Sequence, residues 1–148
     1  MPDPVISLEE VHDLATRILL HAGASAEQAR AVADTVTNAE RDECKSHGLF
    51  RIPGYVKSIL SGKVNGHAVP EVHDLAPAVV HVDAKLGFAP LALEVGADAL
   101  EAKTRSQGIA ALAITDCHHF AAVWPETERL ASRGLVAFAF TGSNSFVA

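Results

Sequence analysis

The residues best able to do chemistry gather in one stretch, Cys44-Lys45-Ser46-His47-Gly48-Leu49-Phe50-Arg51-Ile52-Pro53-Gly54-Tyr55. From Ser46 to Arg51 it sets a hydroxyl, an imidazole and a guanidinium within six residues. An imidazole gains and loses a proton near neutral pH. A hydroxyl beside it can orient the ring or polarise a reacting bond. A guanidinium takes a carboxylate through two parallel hydrogen bonds. Together these groups suit a small acidic substrate that receives a proton. The same letters also fit a plainer use, a helix C-cap turning at Gly48 with incidental polar neighbours. Arg51 alone reads as a surface charge. Local pattern favours the plainer use, so the chemistry rests on what the surrounding elements bring together.

A second stretch, Asp116-Cys117-His118-His119-Phe120, follows an apolar run and precedes a helical one. Ligands of open α/β sheets bind beyond the carboxyl ends of strands, and a helix N-terminus favours an anion such as a phosphate. Ala121 and Ala122 are small enough for a ligand to approach the backbone. The alternatives are a capping loop with two solvated imidazoles, or a metal held by Cys117, His118 and His119. Metal is disfavoured because adjacent side chains rarely converge on one ion and no acidic partner stands at helical spacing. No Gly-x-Gly-x-x-Gly and no Walker-type loop follows any strand-like run, so a dinucleotide bound here is not held by the Rossmann fingerprint. Asp83 and Asp116 end strand-like runs without forming a glycosidase-type carboxylate pair. Trp124 reads as a core or interface anchor.

The elements that position these residues are legible in order. Ser7-Leu8-Glu9-Glu10 is a capping box, followed by Leu8, Val11, Leu14, Ala15, Ile18 and Leu19 at helical spacing. Gly23 stops this helix, Ser25 to Gln28 repeats the cap, and Ala29, Val32, Ala33, Val36 and Ala39 form a second stripe. The two make an antiparallel hairpin whose second arm delivers the chain to Ser46 and His47. Pro53 fits the first turn of a third helix, which runs to about Ser61; Lys63 to Pro70 reads as a loop. Ala78 to Val82 reads as a strand, Pro90 to Gln107 as a helix, and Ile109 to Thr115 as a strand buried on both faces. Ala122 to Arg133 reads as a helix and Leu135 to Thr141 as a further strand. The expected fold class is therefore α/β: an N-terminal helical segment, then a β-α-β-α-β parallel layer with right-handed crossovers, non-Rossmann. Residues 1–66 form the helical segment carrying the Ser-His-Gly motif, and residues 67–148 the α/β part. A parallel sheet needs helices on both faces, so the fold is expected to be incomplete without further chain.

Composition excludes several classes. The 148 residues are 49% hydrophobic, enough for a real core and against disorder. The net charge is −6, with basic residues scattered, so no nucleic-acid footprint exists. No apolar run approaches a membrane span, and the N-terminus lacks a signal pattern. Two cysteines far apart point to a reducing cytoplasm.

Four collinear motifs resemble one family. Ser46-His47-Gly48 with Arg51-Ile52-Pro53-Gly54-Tyr55, Val82-Asp83-Ala84-Lys85-Leu86-Gly87-Phe88, Gly108-Ile109 through His119-Phe120, and Gly134-Leu135 through Asn144-Ser145 resemble the malate/L-lactate dehydrogenase family, which lacks a Rossmann fold. The stretch His118 to Glu126 is most similar to the branch that reduces the cyclic imino acids Δ1-piperideine-2-carboxylate and Δ1-pyrroline-2-carboxylate, with NADPH, to L-pipecolate and L-proline. Hydroxy-acid branches more often carry Gly where this chain has Ala121. The resemblance implies that His47 donates the proton, Ser46 relays to it, Arg51 binds the substrate carboxylate, and His119, Phe120, Ala121, Ala122 and Val123 form part of the NADPH site, with NADH possible and no metal. It also implies a homodimer, and a relay Asp and further cofactor residues beyond the position of Ala148, supplied in cis or by a second chain. The rival expectations are an NAD-dependent 2-hydroxy-acid dehydrogenase acting on malate, lactate or ureidoglycolate-like substrates, and a non-catalytic fragment or assembly half.

Overall fold

The computed structural model describes residues 5–118 and 121–142. Ser7 Oγ accepts the Glu10 N–H at 3.2 Å, and the Glu10 carboxylate accepts the Ser7 N–H at 2.7 Å. This reciprocal cap starts α1 (Leu8–His21). Gly23, at φ +101°, turns the chain, and Ser25 caps α2 (Ala26–Arg41). Two short 3-10 turns follow, Lys45–His47 and Leu49–Arg51. They lead into α3 (Ile52–Leu60), with Pro53 in its first turn. Val11, Ala15 and Leu19 meet Ala29, Val32, Ala33 and Val36 across the hairpin, and Ile52, Tyr55, Val64 and Phe88 complete this core. The contacts on α2 are mostly alanine and valine, so the helices approach closely.

The second layer is a three-stranded sheet. β1 (Glu71–Ala76) pairs antiparallel with β2 (Val79–Asp83). After α4 (Ala89–Gln107), β3 (Ala111–Thr115) pairs parallel with β2. Val80 and Val82 stand opposite Leu112 and Ile114 and pack under Ala92 and Ala99 of α4. Gly96 lets helix and sheet close up: a Cβ there would lie 2.8 Å from Leu112 Cδ1 and 2.9 Å from Val82 Cγ2. α5 (Trp124–Ala131) follows β3.

The α/β class, the helical N-terminal portion, and the strand-helix-strand unit of β2, α4 and β3 are as expected. The sheet differs in three respects. It is mixed, because Glu71–Ala76 adds an antiparallel strand that carries no alternating apolar signal: five of its six residues are exposed. Ile109 to Thr115 is not buried on both faces. Leu112 and Ile114 face α4, whereas Ala111, Ala113 and Thr115 are exposed, since among the described residues α4 covers one face only. Leu135 to Thr141 joins no strand ladder among the described residues. Its Val136, Phe138 and Phe140 are almost fully exposed, and an extended run becomes a strand only through a hydrogen-bonded neighbour. No described helix is long and apolar enough to cross a membrane.

Gln28, fully buried on α2, ties the layers together. Its Nε2 donates to the Ala68 carbonyl at 2.9 Å, and its Oε1 accepts the Phe88 N–H at 3.1 Å. Gln28→Leu strands both backbone groups in the core, so a loss of about 3 kcal/mol is expected. In thermal unfolding this reads as a fall in Tm of roughly 6–12 °C. A fall of under about 2 °C would show that the bridge contributes nothing.

Candidate active site

The site begins where α2 ends. The Cys44 N–H donates to the Ala39 carbonyl at 2.8 Å, closing the helix, and the Lys45–His47 turn then reverses the chain. That reversal puts the Ser46 Oγ 2.9 Å from His47 Nδ1. The Cys44 Sγ lies 3.5 Å from the same nitrogen and 3.7 Å from the Ser46 hydroxyl. Nδ1 is thus turned onto a hydroxyl and a thiol. Arg51, at the end of the next turn, folds its side chain back so that Nε donates to the Ser46 carbonyl at 2.8 Å. The structure therefore brings Ser46, His47 and Arg51 together on one double turn. Among the described residues only Nε of the guanidinium is engaged, so its two Nη groups can take a carboxylate as a fork.

Chain far away in sequence closes one side. The Trp124 indole stands edge-on to the His47 ring, with centroids 6.2 Å apart and planes at 70°. Its Nε1 donates to Asp42 Oδ2 at 2.7 Å. Arg41 bonds the Asp42 carboxylate through Nε and Nη2 and reaches Glu128 at 2.8 Å. α5 is thereby fastened to the end of α2. The role of Trp124 beside His47, and those of Asp42 and Cys44, escaped the sequence reading. The one signal in reach was that Asp42 and Cys44 stand just before the Ser-His pair.

The Arg41 guanidinium, and after it the Trp124 indole N–H, hold the Asp42 carboxyl at about 2, below its usual 3.8. A depressed acid stabilises the folded state above its unfolded value and loses that contribution as pH falls through its folded value. The fastening of α5 is therefore intact above about 4 and fails as pH drops towards 2. Trp124 is the sole tryptophan, so its fluorescence reports the change directly. We expect an emission shift over that acid window that Asp42→Asn removes. The same titration in Asp42→Asn would show that other carboxylates cause it.

Of the expected cofactor residues, His119 and Phe120 lie outside the described residues. Ala121, Ala122 and Val123 lead into α5, and Ala122 is buried. Val123 sits at the N-cap and offers no side-chain cap to the first turn. The small Ala121 and Ala122 leave the backbone approachable, whereas that first turn also holds Pro125, which has no N–H, and Glu126, whose carboxylate opposes an anion there. His118 is a tie between elements: its Nε2 lies 3.2 Å from Ser58 Oγ on α3, its ring meets Phe88 edge-on at 5.9 Å, and its N–H donates to the Gly87 carbonyl at 2.8 Å. The chain from Cys44 through α3 thus meets the chain from Asp116 into α5 twice, through Ser58–His118 and His47–Trp124. Burial pushes the Cys117 thiol up. Among the described residues no three His, Cys, Asp or Glu side chains group as metal ligands do.

The chain resembles known proteins over nearly its whole length. The chain is 51% identical over 149 residues to Δ1-pyrroline-2-carboxylate reductase of Ancylobacter novellus, covering 100% of this chain and 44% of that protein. It is 48% identical over 143 residues to the Δ1-pyrroline-2-carboxylate/Δ1-piperideine-2-carboxylate reductase of Pseudomonas aeruginosa, covering 97% of this chain and 43% of that protein. The chain thus spans less than half the length of these curated relatives. Among solved structures it resembles malate dehydrogenase from Entamoeba histolytica, with a TM-score of 0.80 and 23% identity over 88% of this chain and 37% of that one. Malate dehydrogenase from Pyrococcus horikoshii OT3 gives 0.79 and 24% over 87% and 37%; these two likenesses concern the fold. Residues 6–148 match the malate/L-lactate dehydrogenase family, and the chain belongs to that family.

Proposed function

We propose that this chain carries the proton-donating and carboxylate-binding part of a reductase of cyclic imino acids, Δ1-pyrroline-2-carboxylate and Δ1-piperideine-2-carboxylate, yielding L-proline and L-pipecolate. The observation that carries the reading is the Ser46–His47 pair at 2.9 Å with the Arg51 guanidinium braced on the same turn; the names of the relatives direct it to imino acids. Arg51 fixes the substrate carboxylate through its Nη groups. The neighbouring C2 is thereby set in one orientation, which is a large part of such catalysis. A bound nicotinamide cofactor, NADPH in this reading, supplies the hydride that ends on C2. His47, with Nδ1 held by Ser46, delivers a proton from Nε2 to the ring nitrogen, and the C=N bond becomes C–N. Imidazole suits this role because its ordinary pKa lies close to working pH. Trp124 screens one side of the ring from water. Ala121 to Val123 hold cofactor phosphate at the start of α5.

The remainder of the family's length, in cis or as a second polypeptide, completes the site in this reading. The cytoplasmic, homodimeric setting that the family resemblance implies is part of the same proposal. The deciding assay follows NADPH and NADH oxidation with Δ1-pyrroline-2-carboxylate, pyruvate and oxaloacetate, on the chain alone and on the chain supplied with the relatives' remaining segment. Turnover of the imino acid in the complemented sample supports the reading. Turnover confined to the oxo acids moves the chain to the 2-hydroxy-acid dehydrogenases. No turnover of any of them in the complemented sample overturns the catalytic reading.

A further inference from the structure

Glu40 stands in the last turn of α2, where a negative side chain opposes the helix dipole. That placement is unfavourable unless the carboxylate has a specific use, and the structure shows one. Glu40 Oε1 accepts the Leu49 N–H at 2.7 Å, nine residues along. The same carboxylate lies against Gly48: a Cβ on Gly48 would sit 2.0 Å from Oε1 and 2.5 Å from Cδ. A side chain on Gly48 would therefore push the Glu40 carboxylate out of this position. The Arg51 N–H donates to the Gly48 carbonyl at 2.9 Å, and Arg51 Nε to the Ser46 carbonyl at 2.8 Å, but neither bond ties the turn back to α2. On the near side, Cys44 and His47 donate to the Ala39 and Cys44 carbonyls at 2.8 and 2.9 Å. Beyond His47 the Gly48 N–H reaches the Lys45 carbonyl only at 3.4 Å. Glu40 therefore anchors the chain immediately after His47 to the helix immediately before it.

We infer that Glu40 is a positioning residue for the Ser46–His47 pair, clamping Gly48 and Leu49 to α2 so that His47 Nδ1 stays on the Ser46 hydroxyl. The inference rests on the reading of His47 as the acid only for its kinetic consequence; the positioning itself is a property of the 148-residue chain. What the clamp requires is an acceptor with the reach of a glutamate, not a charge. Glu40→Gln keeps both reach and acceptor. Glu40→Asp keeps the charge but is one methylene short, and Glu40→Ala keeps neither.

The test is 15N NMR of the His47 imidazole, assigned by its loss in His47→Gln, across these variants in the whole chain, with kinetics on the complemented protein. Glu40→Ala and Glu40→Asp are expected to move the Nδ1 and Nε2 shifts away from their wild-type tautomer balance, and Glu40→Gln to leave them in place. Turnover should drop roughly 10–100-fold in the first two, with KM within about 3-fold of wild type, since a misplacement near 1 Å is worth up to that much. Glu40→Gln should stay within about 3-fold in both. Gly48→Ala should reproduce Glu40→Ala, and the double variant should be no worse than either single one. Unmoved imidazole shifts in Glu40→Asp, or a Glu40→Gln as impaired as Glu40→Ala, overturns the inference. Shifted imidazole signals in a protein that reduces no imino acid would uphold Glu40 as a positioning residue and bring down the reductase reading instead.

Discussion

His47→Ala is expected to cut turnover by roughly 10²–10⁴-fold, the usual worth of a placed general acid. The cofactor's dissociation constant should move by less than about 3-fold. The asymmetry follows from where the ring sits. Its Nδ1 is spent on Ser46 and Cys44, all within the turn after α2, whereas the segment read as the cofactor site lies at the start of α5. The two meet through the edge of Trp124, a contact that shapes the imidazole's surroundings without carrying cofactor phosphate. Truncating the imidazole thus removes the proposed acid and leaves the start of α5 as it is. Ser46→Ala should give a smaller loss, since the hydroxyl acts through the ring and a thiol remains beside it. Single-turnover kinetics with a fluorescence titration of NADPH separate the two quantities. Equal losses in turnover and in cofactor affinity would remove His47 from the role of acid.

What could be read beforehand divides by the range of the interactions involved. Ser7 with Glu10, and Gly23, each act on the four or five residues beside them, and the helices they bound stand where the letters place them. β2, α4 and β3 carry enough apolar residues to announce themselves. β1 does not: its side chains are exposed, and its place comes from pairing with β2, which leaves no periodic trace. Leu135 to Thr141 fails in the opposite way. Its composition suits a strand, but a ladder needs a neighbouring edge. The site shows the same division. Ser46, His47 and Arg51 sit within one hexad, and residue chemistry alone grouped them. The bond from Trp124 to Asp42 spans 82 residues, and that from Leu49 to Glu40 joins a loop amide to a helix end. Neither leaves a local pattern, although both bring distant chain next to the His47 turn.

Arg51→Ala should raise KM for the carboxylate substrate roughly 10²-fold, as expected for about 3 kcal/mol of charge-assisted hydrogen bonding. A clamp that held the ground state and the transition state equally would leave kcat alone. Here it should not. Arg51 Nε also donates to the Ser46 carbonyl, so removing the side chain loosens the turn that holds His47, and kcat should fall by a further 3–10-fold or so. Arg51→Lys distinguishes the two effects. Its ammonium keeps a charge for the carboxylate but has no Nε to brace Ser46 and no planar fork. It should recover part of the KM loss while retaining the whole kcat loss. An Arg51→Lys enzyme with wild-type kcat would show that the brace on Ser46 is incidental. An Arg51→Ala enzyme with wild-type KM would show that the substrate carboxylate binds elsewhere.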